Sequence, residues 1–351
     1  MAGVGQKTWR SLLPRSNGRL NLVSDQKARD IIHALGLKNV YKDAEIIDCN
    51  PGCGVWSKVL NEELNPKTHL LLEPMENYYK WQKDYTKDFK HAKTVQVDPY
   101  KWRVYSLLEQ YGAFKPKIVP ASDFNTELLV TGNFTNVQGA QLVSQFITCI
   151  AYRSWLQKFG RVRMLLWVRD AVASKAFAGP DGHRGKMSAL VELFADIEAI
   201  ASTEEYATAT QRAKLKLLTS MPELVQAKVR LESEDSHPHG PLVLLDIRPK
   251  AKREWEDKID MHSMEYILRN LFITPRATFH ESIDNLGPGA REELKGPLGH
   301  LYDTPTRKLT SDDLVEIFFA FEGWPFKPKY LFDLGEDTLE QKNTGDIVQF
   351  L

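Results

Sequence analysis

Long apolar runs are missing from this chain. The densest stretch, Met164–Val168, has only the length of a strand, far short of the roughly 18 residues a membrane-spanning helix needs, so no membrane partner is expected. Cysteine is scarce as well. Cys49, Cys53 and Cys149 have no metal-ligand spacing and cannot make an even-numbered disulfide framework, which points away from a metal site and toward a reducing compartment rather than secretion. Excess charge of either sign is also absent. Lys plus Arg number 46 and Asp plus Glu number 46, so any surface that meets nucleic acid has to be a local patch.

What is present is ordinary globular composition, 42% hydrophobic and 26% charged over 351 residues, enough for one large domain and a smaller one. Only the start is uneven. Lys7, Arg10, Arg15 and Arg19 precede the first acid, Asp25, in a stretch that also carries Ser11 and Ser16; it reads either as a mitochondrial targeting segment or as a solvated basic arm.

From residue 45 to about 247, short apolar runs alternate with helical patterns, as in crossover units on a mostly parallel sheet. Runs at 46–47, 69–72, 94–97, 128–130, 162–168 and 243–245 predict buried strands. Ser24 can cap a helix carrying Ile31, Ile32 and Leu35, and Leu142, Phe146, Cys149 and Ile150 recur at helical spacing. Past the charged stretch 250–260 the period changes. Met264, Ile267, Leu268, Leu271 and Phe272 form one apolar helix face, and Thr310 and Asp313 suit a capping box before Leu314, Ile317 and Phe318. The expected organisation is a basic segment over 1–24, an α/β domain over 25–253, a helical domain over 254–333 and a loose tail over 334–351.

Three successive predicted strands are followed by an acid: Asp48, Glu73 and Asp98. In an open parallel sheet the crevice beyond the carboxyl ends of the strands is where ligands bind, so these acids converge. Asn50, Pro51, Gly52, Cys53 and Gly54 make a tight turn after the first strand, with glycines that let backbone approach a ligand. Glu73 can accept both ribose hydroxyls of a nucleoside, and Asp98 can receive an adenine amino group. The alternative is that the acids cap the helices that follow. A nicotinamide fingerprint needs a third glycine, and residue 57 is Ser.

The order of Asp48 through Gly54, Glu73, Asp98, Gly132–Thr135, Met164–Asp170, Met187–Leu190 and Phe272–Arg276 resembles the rRNA adenine N6,N6-dimethyltransferase family over nearly the whole chain. The resemblance implies a class I S-adenosylmethionine-dependent methyltransferase fold, Rossmann-like α/β, with a small C-terminal all-helical domain. It implies S-adenosylmethionine as a vestigial or weakly bound cofactor, held by Asn21, Val23, Asn50, Gly52, Gly54, Glu73, Asp98 and Asn133, with Glu73, Asp98 and Asn133 the best-retained contacts, and no metal. Lys158–Trp167 and Trp324–Pro328 resemble, more narrowly, the fungal mitochondrial transcription factor B group. That likeness implies a monomer in the mitochondrial matrix that partners the single-subunit RNA polymerase and stabilises melted promoter DNA.

The family's catalytic loop reads Asn, Leu or Ile, Pro, then Tyr or Phe: amide and carbonyl hold the adenine amino group and the aromatic stacks on the base. Here it reads Asn133, Phe134, Thr135, Asn136. The proline and the stacking ring are gone, and Phe134 fits a core position. The family's Gln-Asn-Phe-Leu element corresponds to Leu20, Asn21, Leu22 and Val23, with only the asparagine retained. Asn50 intrudes where the family has glycine. A binding protein without catalysis is therefore expected, with an active mitochondrial small-subunit rRNA dimethyltransferase, using Asn133, as the alternative. For nucleic acid, Tyr152, Arg153, Trp155 and Arg161 interleave aromatics with arginines, as single-strand binding requires, or else are solvated ends around core rings. Lys175, His183, Arg184 and Lys186 flank a glycine-rich loop that could reach phosphate.

Overall fold

The near-continuous apolar character of the predicted strands suits a sheet covered on both faces. The structure, a computed structural model, describes residues 18–180, 184–203 and 227–328. The expected tail, most of the basic segment and His183 lie outside the described residues. The main sheet has eight strands in the order β4-β3-β2-β5-β6-β10-β7-β8. These are β2 (Glu45–Cys49), β3 (Thr68–Leu72), β4 (Ala92–Val95), β5 (Leu128–Asn133), β6 (Met164–Arg169), β7 (Ala195–Thr203), β8 (Val229–Leu231) and β10 (Leu242–Pro249). The pairs from β4 through β6 are parallel, and β10 runs antiparallel between β6 and β7. The chain reverses its order between β2 and β5, which opens the crevice at their carboxyl ends. A separate two-stranded ribbon pairs β1 (Asn21–Leu22) with β9 (Ser236–His237).

Side chains alternate across the sheet, so Ile46 packs with Ile31 and Leu60 on one face while Ile47 packs with Leu108 and Phe146 on the other. Helices Asp25–Ala34 and Val55–Leu64 cover the first face, and Trp102–Gln110 and Gly139–Tyr152 the second. Ser24 caps the first of these as expected, its Oγ accepting from Lys27 N. Two strands differ from the apolar runs that predict them: β4 starts and ends two residues early, and β6 begins at Met164. Strand β7 is not visible as an apolar run because its first half carries Asp196 and Glu198, the latter paired with Lys228 and Arg248.

The helical region joins the second face without a break in the core, Met264, Leu268, Ile317 and Phe318 packing in the same cluster as Leu190 and Phe194. Asp260 caps helix Met261–Leu271, and Thr310 with Asp313 forms the expected capping box before Ser311–Glu322. The Trp324–Pro328 segment divides. Trp324 is buried edge-on to Phe321, and Pro328 lies against Gly287, whereas Phe326 is exposed.

Arg184 corrects the expectation of a basic loop reaching for phosphate. It is buried at 1% exposure, donating to the Leu309 carbonyl, to the Arg307 carbonyl at 3.3 Å and to Glu192 at 2.5 Å. Lys186 pairs with Glu265, while Lys175 is exposed. Arg184 thereby ties the helical region to helix Lys186–Phe194. Arg184→Ala should destabilise the protein by about 1–3 kcal/mol, the cost of leaving a buried polar partner unmet. Denaturant melts read this, and a loss under about 0.5 kcal/mol, the range of an ordinary surface change, would contradict the clamp.

Candidate functional site

The turn after β2 is built for close approach. Gly52 has φ +62° and Gly54 +83°, and Asn50, which is buried, adopts +56°, conformations in which glycine carries no strain. Asp48 at the end of β2 is turned inward to accept from Ser57 Oγ at 2.5 Å. Glu73, directly after β3, has no exposed surface. Its Oε1 accepts from Met75 N at 3.0 Å, and its Oε2 from Gly52 N at 3.2 Å and from Arg19 Nη1 at 2.6 Å.

Arg19 is itself 2% exposed. The chain from Gly18 to Leu22 threads the crevice and meets three of the groups expected to hold a cofactor or a base, Gly52, Glu73 and Asn133. Asn21 accepts from Cys53 N at 3.1 Å through Oδ1 and donates to Tyr78 Oη at 3.2 Å through Nδ2. It fills the space above Gly52 so closely that a Cβ there would lie 2.0 Å from Asn21 Oδ1. Val23 is half-buried against Cys53, Val55 and Tyr78. Asn133 donates from Nδ2 to the Leu20 carbonyl at 2.6 Å, and its Oδ1 accepts from Thr135 Oγ1 at 2.7 Å and Thr135 N at 3.2 Å. Thr135 Oγ1 accepts from Leu20 N at 2.8 Å. Arg169 closes the entrance, donating to the Thr135 carbonyl at 2.6 Å and the Gly18 carbonyl at 2.5 Å. Burial pushes the neighbouring Tyr78 phenol up to about 12.

Asp98 stands apart, accepting from Tyr100 N at 3.0 Å in the turn before the next helix. Phe134 is core, edge-on to Phe146 at 5.4 Å. The cavity left beside Asp48, Trp56, Asn133 and Trp167 measures about 10 Å³, roughly the room one water needs, whereas small-molecule sites run to about 300 Å³ and more. In this arrangement Glu73, Gly52 and Asn133 do not fit S-adenosylmethionine: the carboxylate, the surface over Gly52 and the asparagine amide are taken by the chain.

The residues expected to meet nucleic acid are engaged elsewhere, most of them at the opposite end of the sheet. Tyr152 donates to Glu265 at 2.9 Å. Arg153, in the left-handed conformation that ends its helix, holds Glu256 at 3.1 Å and the Lys250 carbonyl at 3.2 Å. Trp155 stacks on Phe146 at 4.1 Å. Arg161 donates to the carbonyls of Pro249 and Ser122 at 2.7 and 2.9 Å and lies over the Phe124 ring. Sequence reasoning missed Arg19, Thr135 and Arg169 as partners in the crevice. The one available signal was the position of Arg19, two residues ahead of the retained Asn21. Also missed was Lys101-Trp102-Arg103, three consecutive exposed residues at the carboxyl end of the sheet.

Breaking a buried ion pair leaves an uncompensated charge, at a cost of about 3–5 kcal/mol. Arg19→Ala and Glu73→Ala should each destabilise by that order, and the double variant by much less than their sum. Additive losses in a double-mutant cycle would show that the two side chains act separately.

Comparison with known proteins agrees with this architecture. Residues 16–321 match the family described as ribosomal RNA adenine dimethylase. Among curated proteins the chain is 28% identical to mitochondrial transcription factor 1 of Lachancea kluyveri, over 89% of this chain and 91% of that one. It is 27% identical to mitochondrial transcription factor 1 of Saccharomyces cerevisiae, over 90% and 91% respectively. Among solved structures, a dimethyladenosine transferase from Plasmodium falciparum superposes with a TM-score of 0.56 at 14% identity, over 86% of this chain and 97% of that one. The strand order, the turn after β2 and a match that spans most of the chain lead to one assignment: this protein belongs to the ribosomal RNA adenine dimethylase family.

Proposed function

We propose that this chain is a mitochondrial transcription initiation factor that keeps the dimethylase fold without its chemistry. It works as a monomer in the matrix, beside the single-subunit mitochondrial RNA polymerase, and stabilises melted promoter DNA. The observation that carries the reading is the end-to-end likeness to relatives named mitochondrial transcription factor 1. The crevice supports the absence of catalysis. Adenine's amino nitrogen is a poor nucleophile that must be oriented, and here the Asn133 amide holds Leu20 while Asn136 stands where the family places a stacking ring.

A surface for unpaired DNA is better supported at residues 101–103 than at Arg153 or Arg161, whose guanidinium groups hold backbone carbonyls. Trp102 is 37% exposed between the exposed Lys101 and Arg103. Its ring is braced edge-on by Phe146 at 6.1 Å and Trp155 at 5.7 Å. Tyr100 donates to the Gln138 carbonyl, which joins this segment to the loop after β5 and sets it beside the closed crevice. A braced ring between two cations suits base stacking against a phosphate backbone.

Two outcomes are expected. The purified protein should transfer no methyl group to small-subunit rRNA, and labelled methyl appearing over several turnovers would overturn the non-catalytic reading. In runoff assays with the cognate polymerase, Trp102→Ala and the pair Lys101→Glu/Arg103→Glu should impair duplex promoters far more than a pre-melted template. Melting opposes about 1.4 kcal/mol of stacking per base-pair step, and a stacked aromatic returns about 1–3 kcal/mol. Equal loss on both templates would move these residues to polymerase docking.

A further inference from the structure

We propose that the strap Gly18–Leu22 is a built-in occupant of the nucleoside and base subsites, with Arg19 bound to Glu73 in place of ribose hydroxyls, so that this chain excludes S-adenosylmethionine. Ribose offers a carboxylate hydrogen-bond donors, and a guanidinium does the same with a full charge added. An arginine at 2% exposure is found only where a partner compensates it, and Glu73 supplies that compensation. A nucleoside could reach Glu73 only by displacing Arg19, and could lie along the glycine turn only by displacing Asn21, which is also held by Cys53 N and Tyr78.

The base subsite is closed by the same strap. The peptide group of Leu20 is taken on both sides, its N–H by Thr135 Oγ1 and its carbonyl by Asn133 Nδ2. Thr135 is the informative position. The family has proline there, which has neither the hydroxyl that meets Leu20 nor the N–H that Thr135 gives to Asn133 Oδ1. The substitution that removes the catalytic motif is thus the one that fastens the strap. Arg169 locks the outer end through the carbonyls of Gly18 and Thr135, and the β1–β9 pairing locks the inner end.

The assignment does not rest on the transcription reading, since a closed crevice is compatible with any non-catalytic role. Its test is binding of S-adenosylhomocysteine to the full chain, read by calorimetry and by ligand-dependent thermal shift, because a ligand that binds only the native state raises its melting temperature. The wild-type protein should give neither heat nor shift. Arg19→Ala should bind at least about tenfold more tightly than wild type, and adding Glu73→Gln should abolish that gain. Wild-type affinity equal to that of Arg19→Ala would overturn the proposal. So would a folded Arg19→Ala that binds nothing, or a gain that survives loss of Glu73. If the alanine variant does not fold, Arg19→Gln keeps a donor to Glu73 without the charge and should still bind more tightly than wild type. A folded Arg19→Gln indistinguishable from a non-binding wild type would then count against Arg19 as the barrier.

Discussion

Glu73 is a carboxylate with no exposed surface, and the crevice is organised around satisfying it. Its acceptors draw together the turn after β2 through Gly52, the start of the helix after β3 through Met75, and the N-terminal strap through Arg19. A buried ion pair is weak ground for claiming net stability, because desolvation offsets much of the Coulombic gain. Its stronger effect is on geometry. With both oxygens committed, the three segments have one mutual arrangement, and from Arg19 the strap carries that arrangement to Asn133, Thr135 and Arg169.

The fold was largely legible because it is written in repeated, local signals. Buried parallel strands announce themselves as apolar runs, and caps such as Ser24 and Thr310 are set by neighbours three residues away. Strand β7 was not legible, since an edge-ward strand can carry Asp196 and Glu198 toward solvent partners. Topology predicts that Asp48, Glu73 and Asp98 converge, but Glu73 meets the strap while Asp48 turns to Ser57 and Asp98 to Tyr100 N. What occupies Glu73 was not legible, because Arg19 meets it across 54 positions of sequence and a place two residues ahead of Asn21 does not by itself separate Arg19 from a solvated member of a basic segment. The same limit explains Arg153 and Arg161. Arginines among aromatics look alike whether they face phosphate or cap carbonyls, and only the return of residues 249–256 beside them decides.

One scaffold serves different ends with few changes in its frame. The strand order and the glycine turn are shared with the dimethylase fold, while the departures gather at a handful of positions around one crevice. Asn50 replaces a glycine and takes up a strained left-handed conformation, Thr135 replaces a proline, and Asn136 replaces a ring. Asn136 Oδ1 is buried with no hydrogen-bond partner among the described residues.

The balance of charge bears on how such a protein could act. Affinity for duplex DNA comes mainly from phosphate contacts that release counterions, and a chain with 46 charges of each sign has no global surplus to give. Several of its arginines are also committed internally: Arg163 to Asp246, Arg169 to backbone carbonyls and Arg184 to Glu192. On the proposed reading, recognition of the closed promoter then has to be shared with the polymerase. The contribution of this chain grows once strands separate, when a base becomes available to the braced Trp102 ring and its two flanking cations. A factor of this kind would favour the open complex without gripping the duplex, since stacking rewards the melted state alone.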